Sequence, residues 1–341
     1  MRRLLLVLPL TMLGALYGTR TGLPAALEHP TVTLGIGGKT QLPYLPVNIA
    51  QLRGYFRQEG LTVQFDEFRG GSNSLQALLG GSVDFISGAY EHTLYLQAKG
   101  QFINAVALQN NSFGVVIALS KKRAAAYKSP LDLRGLKFGV TAPGSSSALA
   151  LGLLMAKAGL TTDDVSVIGV GTGAAAIAAM KSGELDGEAN FDPIITKLTA
   201  DGDVVPVIDT RHKEGLEYLY GGRFAGSVIS TTADFVKNNP ATVQAFVNAM
   251  VRALRWLHSA STDEIVEALP PEFQAGDKKA YTLAVEANRE MLSADGIVTP
   301  TLAAATYRVI ASSSEEVRTA HIDLSRTYDS HFAEQANTSI R

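Results

Sequence analysis

From Thr31 to Ile36 apolar and polar residues alternate, and Gly37-Gly38 ends the run, which predicts a β-strand. Pro46 to Phe56 places Val47, Ala50, Leu52, Tyr55 and Phe56 near helical spacing, with Gly60 as the stop, and predicts a helix. The cycle then continues. Leu61 to Phe68, Val83 to Ser87, Phe102 to Leu108 and Val115 to Leu119 read as strands. Leu75 to Leu79 and Thr93 to Lys99 read as helices stopped by glycine, with Ser72 and Ser74 as candidate N-caps for the first. A second cycle runs through strands at Leu136 to Val140, Val165 to Val170, Leu185 to Ala189 and Val204 to Ile208. Helices at Ala148 to Ala158, Ala174 to Lys181 and Ile194 to Ala200 separate them. Ser227 to Ser230 reads as one more strand, and from Phe235 the chain is mostly helical, punctuated by Pro240, Pro270-Pro271 and Pro300.

Strand-helix-strand order repeated in this way predicts mostly parallel sheets covered by helices. Two similar halves predict two α/β lobes. Ser120 to Asp132 reads as the outward crossover and Tyr220 to Ser227 as the return. The expected organisation is residues 27–119 plus 227–341 as a discontinuous first lobe and 120–226 as the second, with a helical C-terminal segment. Open α/β sheets bind ligands outside the carboxyl ends of their strands, so the cleft between such lobes is the expected site.

Composition narrows the function. The 341 residues are 46 % apolar and 18 % charged, enough for two packed domains. A net charge of −2 supplies no basic field for nucleic acid. The absence of cysteine removes thiol catalysis, cysteine-ligated metals, disulfides and a lipidated-cysteine anchor. Met1-Arg2-Arg3 precedes an apolar run from Leu4 to Leu16, broken by Pro9, Thr11 and Gly14, which is the layout of an export signal. Residues 1–26 are the expected signal peptide, ending near Pro24-Ala25-Ala26, and the mature protein is expected to be periplasmic; an uncleaved membrane anchor is the other reading.

Candidate chemistry lies in the loops after the strands. Those at Gly71, Gly144 and Gly171 combine glycine, which lets the backbone approach a ligand, with Ser72, Ser145, Ser146 and Thr172 where helices open. Free N–H groups and the positive helix end suit a carboxylate, sulfonate or nitrate; each loop alone is equally an ordinary capped helix. Tyr44 and Tyr90 either line the cleft or pack in the core. Asp192 either accepts from a donor on the ligand or caps the helix opening at Pro193. Catalytic signatures are poor. Gly169-Val170-Gly171-Thr172-Gly173 lacks dinucleotide-loop spacing, and no two of the six histidines stand at H-x-x-x-H spacing. Glu91-His92 is a conceivable acid/base pair, but adjacent side chains diverge.

Leu45-Pro46-Val47 followed by Gly54-Tyr55-Phe56-Arg57-Gln58-Glu59-Gly60-Leu61 resembles the opening of nitrate/sulfonate/taurine-type substrate-binding proteins of ABC transporters. Gly71-Ser72 with Gly81-Ser82-Val83-Asp84-Phe85, Lys181-Ser182-Gly183-Glu184-Leu185-Asp186-Gly187 and Ala294-Asp295-Gly296-Ile297-Val298-Thr299-Pro300 are similar to further blocks of that family. The resemblance implies a type II periplasmic-binding-protein fold, hinged closure around a solute, and delivery to a membrane permease with its ATPase. It implies that loops carrying Gln41, Ser72, Tyr90, Ser145, Ser146 and Asn190 to Pro193 line the ligand site. The expectation is a monomeric, non-enzymatic binding protein without cofactor or metal, taking a small organic anion. The superfamily also includes proteins that resemble thiamine-pyrimidine precursor enzymes and their bacterial binding relatives, so a pyrimidine-binding protein or related enzyme is the alternative. That enzyme type carries a cysteine-rich segment, which this chain lacks.

Overall fold

The computed structural model describes residues 26–340. Residues 1–25, almost all of the expected signal peptide, lie outside the described residues, as does Arg341. No helix among the described residues is long and apolar enough to cross a membrane.

Among the described residues, ten strands form two five-stranded sheets. The first holds β1 (Thr31–Ile36), β2 (Thr62–Glu67), β3 (Phe85–Ala89), β4 (Ile103–Leu108) and β10 (Ser227–Thr232), in the order β2-β1-β3-β10-β4. The second holds β5 (Val116–Ser120), β6 (Lys137–Val140), β7 (Ser166–Gly169), β8 (Gly187–Asn190) and β9 (Val204–Asp209), in the order β7-β6-β8-β5-β9. The two orders are equivalent. In each, one strand runs antiparallel to its two neighbours: β10 in the first sheet and β5 in the second. Each of these is the first strand after the chain changes lobe.

This placement corrects the expected boundary. Val116–Ser120 pairs with β8 and β9, so it belongs to the second lobe and the outward crossover is residues 109–115. Val116, Ile117, Ala118 and Leu119 are buried on both faces, and such a run carries no sign of which sheet it joins. The predicted return before Ser227 coincides with the start of β10.

The first core packs the 20-residue helix Pro240–Ser259 on the sheet through Val243, Phe246, Val247, Met250, Val251 and Leu257, a stripe at helical spacing. Phe246 stacks on Phe85 at 4.4 Å and meets Phe56 at 4.6 Å between ring centroids. Each such side chain contributes about 1.5–3 kcal/mol on burial. The core of the second sheet is continuous with Leu94 of the first lobe and with Val309, Ile310 and Val317 of the C-terminal helices. The C-terminal segment therefore fastens both lobes, and the strand ends of the two sheets meet along a closed seam.

Candidate ligand-binding site

The seam is built from loops at the carboxyl ends of parallel strands. Gly38, after β1, stands against Thr172, after β7; a Cβ on Gly38 would lie 2.0 Å from the Thr172 hydroxyl oxygen, and φ there is +98°. Gly70, after β2, has the same relation to Ala142, after β6, with 2.8 Å between Cβ positions. The Ser72 hydroxyl donates to the Pro143 carbonyl at 2.9 Å, and the Leu42 N–H donates to the Asp192 carbonyl at 3.1 Å. Glycine is required where the lobes come within backbone distance.

The chemistry of the seam centres on Glu91 and His92, which open the helix Glu91–Ala98 after β3. They are 2 % and 3 % exposed. The Ser146 hydroxyl, from the opposite lobe, donates to Glu91 Oε1 at 2.5 Å, and Glu91 Oε2 has no partner. Burial pushes the Glu91 carboxyl up to about 7, against the opposing bond from Ser146. Burial also lowers His92 to about 4, so the imidazole is neutral. Neither ring nitrogen is hydrogen-bonded, the Gly144 carbonyl facing the ring from beyond bonding geometry. The Tyr220 hydroxyl and Gln41 Nε2 are likewise buried and unpartnered. Burial, with the Glu91 charge adding to it, pushes the Tyr44 and Tyr220 hydroxyls up. The Tyr44 hydroxyl lies 3.4 Å from a Cβ position on Gly71, which stands 3.8 Å from His92 Cε1.

Two openings flank the seam. One of about 470 Å³ is lined by Ser72, Glu91, His92, Tyr95, Pro143 and Ser145. The other, about 670 Å³, lies between Arg69 and Asn73 and the loop from Gly171 to Gly173. A larger groove of about 1200 Å³ runs beside Pro30 and Gly60, at the amino ends of β1 and β2, on the side of the sheet where ligand sites of this architecture do not form.

Among the residues expected from sequence, the seam brings together Gln41, Tyr44, Gly71, Ser72, Ser146 and Thr172. The side chains of four others are bonded elsewhere, although Ser145 still lines the smaller opening. Tyr90 is fully buried and shares a 2.5 Å hydrogen bond with the Thr327 hydroxyl, in a cluster with Ala105, Val228 and Val298. The first turn of its helix directs it toward the C-terminal segment, away from the seam. Ser145 donates to the Ala142 carbonyl and joins a hydroxyl cluster with Thr141 and Ser147, so it braces its own loop. Neither Ser72 nor Ser145 caps its helix through its side chain. Asn190 spends both amide hydrogens on the Gly171 carbonyl and Glu188 Oε1, and its oxygen accepts from the Phe191 N–H. Asp192, 0 % exposed, accepts from Arg211 Nη1 at 2.8 Å, Asn288 Nδ2 at 2.7 Å and the Thr196 N–H at 3.1 Å. Its carboxylate thus serves an ion pair and a first-turn N–H of the helix Ile194–Ala200, whose N-cap is Pro193. Glu91 and His92 are neighbours on a helix, whose side chains diverge, yet the second lobe covers both through Ser146 and Gly144. Their signal was a charged, polar pair directly after an apolar strand.

A model of the NMT1-like family matches residues 25–269, most of the chain. The chain belongs to that family. A protein of Bordetella bronchiseptica RB50 of known structure is 40 % identical, with a TM-score of 0.88 over 92 % of this NMT1-like chain and 98 % of its own. The alkanesulfonate-binding protein SsuA of Xanthomonas axonopodis pv. citri, bound to MOPS, superposes with a TM-score of 0.70 over 89 % of this chain and all of its own, at 20 % identity. The two-lobed binding-protein fold implied by the loop motifs is thus the fold observed. The 4-amino-5-hydroxymethyl-2-methylpyrimidine phosphate synthase of Schizosaccharomyces pombe is 32 % identical over 231 residues, 65 % of this chain. The chain spans 62 % of the length of that yeast relative.

Proposed function

We propose that the chain captures a small solute between its lobes in the periplasm, releases it unchanged, and delivers it to the permease and ATPase of an ABC importer. The observation that carries this reading is the set of buried, unpartnered polar atoms at the seam: Glu91 Oε2, both His92 ring nitrogens, Tyr220 Oη and Gln41 Nε2. Each such atom costs about 1–3 kcal/mol when buried without a hydrogen bond. A ligand that pairs with several of them favours the closed state through contacts the open state lacks.

The set mixes donors and acceptors and contains no cation, although Arg69 lines the flanking opening of about 670 Å³. Arg211 is already bonded to Asp192 and Asp209. This chemistry matches an uncharged, planar heterocycle with its own donors and acceptors, of the aminopyrimidine kind, flanked by Tyr44 and Tyr220. A second reading, a sulfonate or carboxylate, has one specific support: the helices Gly71–Leu79 and Ser146–Ala156 both open onto the seam without a side-chain cap, leaving first-turn N–H groups for an anion.

Thermal melting with pyrimidines, alkanesulfonates, taurine, nitrate and aromatic carboxylates, followed by recovery of the ligand, tests the reading. An aminopyrimidine at a hundredfold excess over its Kd stabilises by about 2.7 kcal/mol and is recovered intact. Stoichiometric consumption of the ligand replaces capture by enzymatic chemistry, and stabilisation by sulfonates alone selects the anion reading.

A further inference from the structure

Glu91 belongs to the first lobe, yet its carboxyl lies on the first turn of a second-lobe helix, Ser146–Ala156, through the Ser146 hydroxyl. That helix end is where its uncapped N–H groups and positive dipole favour an anion. Glu91 Oε2, buried in the same place, accepts from nothing. Among the described residues no Lys or Arg pairs with this carboxyl. The titratable groups around it are Tyr44 after β1, Tyr220 of the helix Lys213–Tyr220, and His92 and Tyr95 on its own helix. Beyond Tyr95, Lys99 and Glu316 pair with each other at 3.8 Å on the rim of the flanking opening.

We propose that Glu91 is a charge filter: the fold fills the anion position of the seam with its own carboxyl, so the charge of the accepted ligand is set by the proton on Glu91. This rests on the seam being the ligand site. Ionised, Glu91 repels an anion and accepts from a donor-bearing neutral ligand. Protonated, it offers an O–H and admits an anion to the helix end. Because burial places its titration at about 7, both forms are populated in the physiological range. The two ligand classes then respond to pH with opposite sign. When only one protonation state binds, the apparent Kd scales inversely with its population, which changes about tenfold between roughly pH 6 and pH 8.

Calorimetric titration with cytosine and with ethanesulfonate, neither of which changes charge in that interval, decides the matter. In the wild type, ethanesulfonate binds about tenfold tighter at the lower pH and cytosine about tenfold weaker. In Glu91→Gln, which keeps an acceptor for Ser146, both slopes vanish and ethanesulfonate binds at the higher pH as tightly as it binds the wild type at the lower. Binding without a pH slope in the wild type, or a slope that survives in Glu91→Gln, overturns the filter and leaves solute capture standing. The wild-type series alone is decisive if the variant folds poorly. Failure of both probes to bind either protein removes the seam as a site for these ligands, and the filter with it.

Discussion

Arg211 and Asp192 offer a test of what braces the second-lobe loops beneath the seam. The Arg211 side chain is 9 % exposed and Asp192 is 0 % exposed. Arg211 Nη1 donates to Asp192 at 2.8 Å and to the Thr196 hydroxyl at 2.7 Å, while Nε and Nη2 clasp Asp209 at 2.8 and 2.6 Å. Arg211→Met keeps most of the volume and removes every one of these bonds. Breaking a buried pair from one side costs about 3–5 kcal/mol, because the remaining charge stays buried. Asn288 and the Thr196 N–H still serve Asp192, which places the cost near the lower end, ~3 kcal/mol. Asp192→Asn removes the charge but leaves Arg211 on Asp209, and is expected to cost about 1 kcal/mol. Combining the two relieves the buried charge, so the double variant is more stable than the sum of the singles by about 2 kcal/mol. Urea unfolding followed by far-UV circular dichroism reads these as midpoint shifts at constant m. An Arg211→Met cost below about 1 kcal/mol, or additivity of the two, refutes the buried ion pair. Solute affinity in Asp192→Asn should stay within about twofold, since Asp192 is already saturated by protein donors; a tenfold loss returns it to the ligand.

Gly70 has φ near 170°, which any residue adopts, so Gly70→Val acts purely as a wedge against Ala142 across the seam. It should raise the radius of gyration in small-angle scattering and weaken solute binding at least about tenfold; an unchanged radius would mean the lobes do not close on this contact. Ser145→Ala should destabilise by about 1 kcal/mol through the Thr141 and Ser147 cluster while leaving the Kd within about twofold. Glu188 is buried with Oε2 unpartnered, and burial raises its carboxyl from 4.5 to about 7. A raised carboxyl favours the folded state fully below about 4.5 and loses that contribution as pH rises through 7. Glu188→Gln should therefore be more stable than the wild type above pH ~8, by up to about 3 kcal/mol, with the gain gone below pH ~4.5; equal melting temperatures across that range would contradict a buried, titrating Glu188.

The chain order of strands and helices was legible because alternation, apolar runs and glycine stops are local signals. Thr31–Ile36, Ala174–Lys181 and Ile194–Ala200 have the bounds that their patterns predict. The loops that meet at the seam were also legible, since they follow parallel strands. What each loop side chain does was not. Tyr90 finds Thr327, 237 residues away. Asp192 finds Arg211 after 19 residues and Asn288 after 96. No spacing rule links such partners.

By itself, then, the sequence determined two repeated α/β halves, the glycine loops that let them approach, and a family resemblance that rests on those loops. Only the tertiary structure decided which sheet Val116–Ser120 completes, because a strand buried on both faces suits either. Only the tertiary structure buried Glu91 and His92 at the centre of the seam. Their titration and their missing partners come from burial, and that burial is supplied by Ser146 and its neighbours from the other lobe.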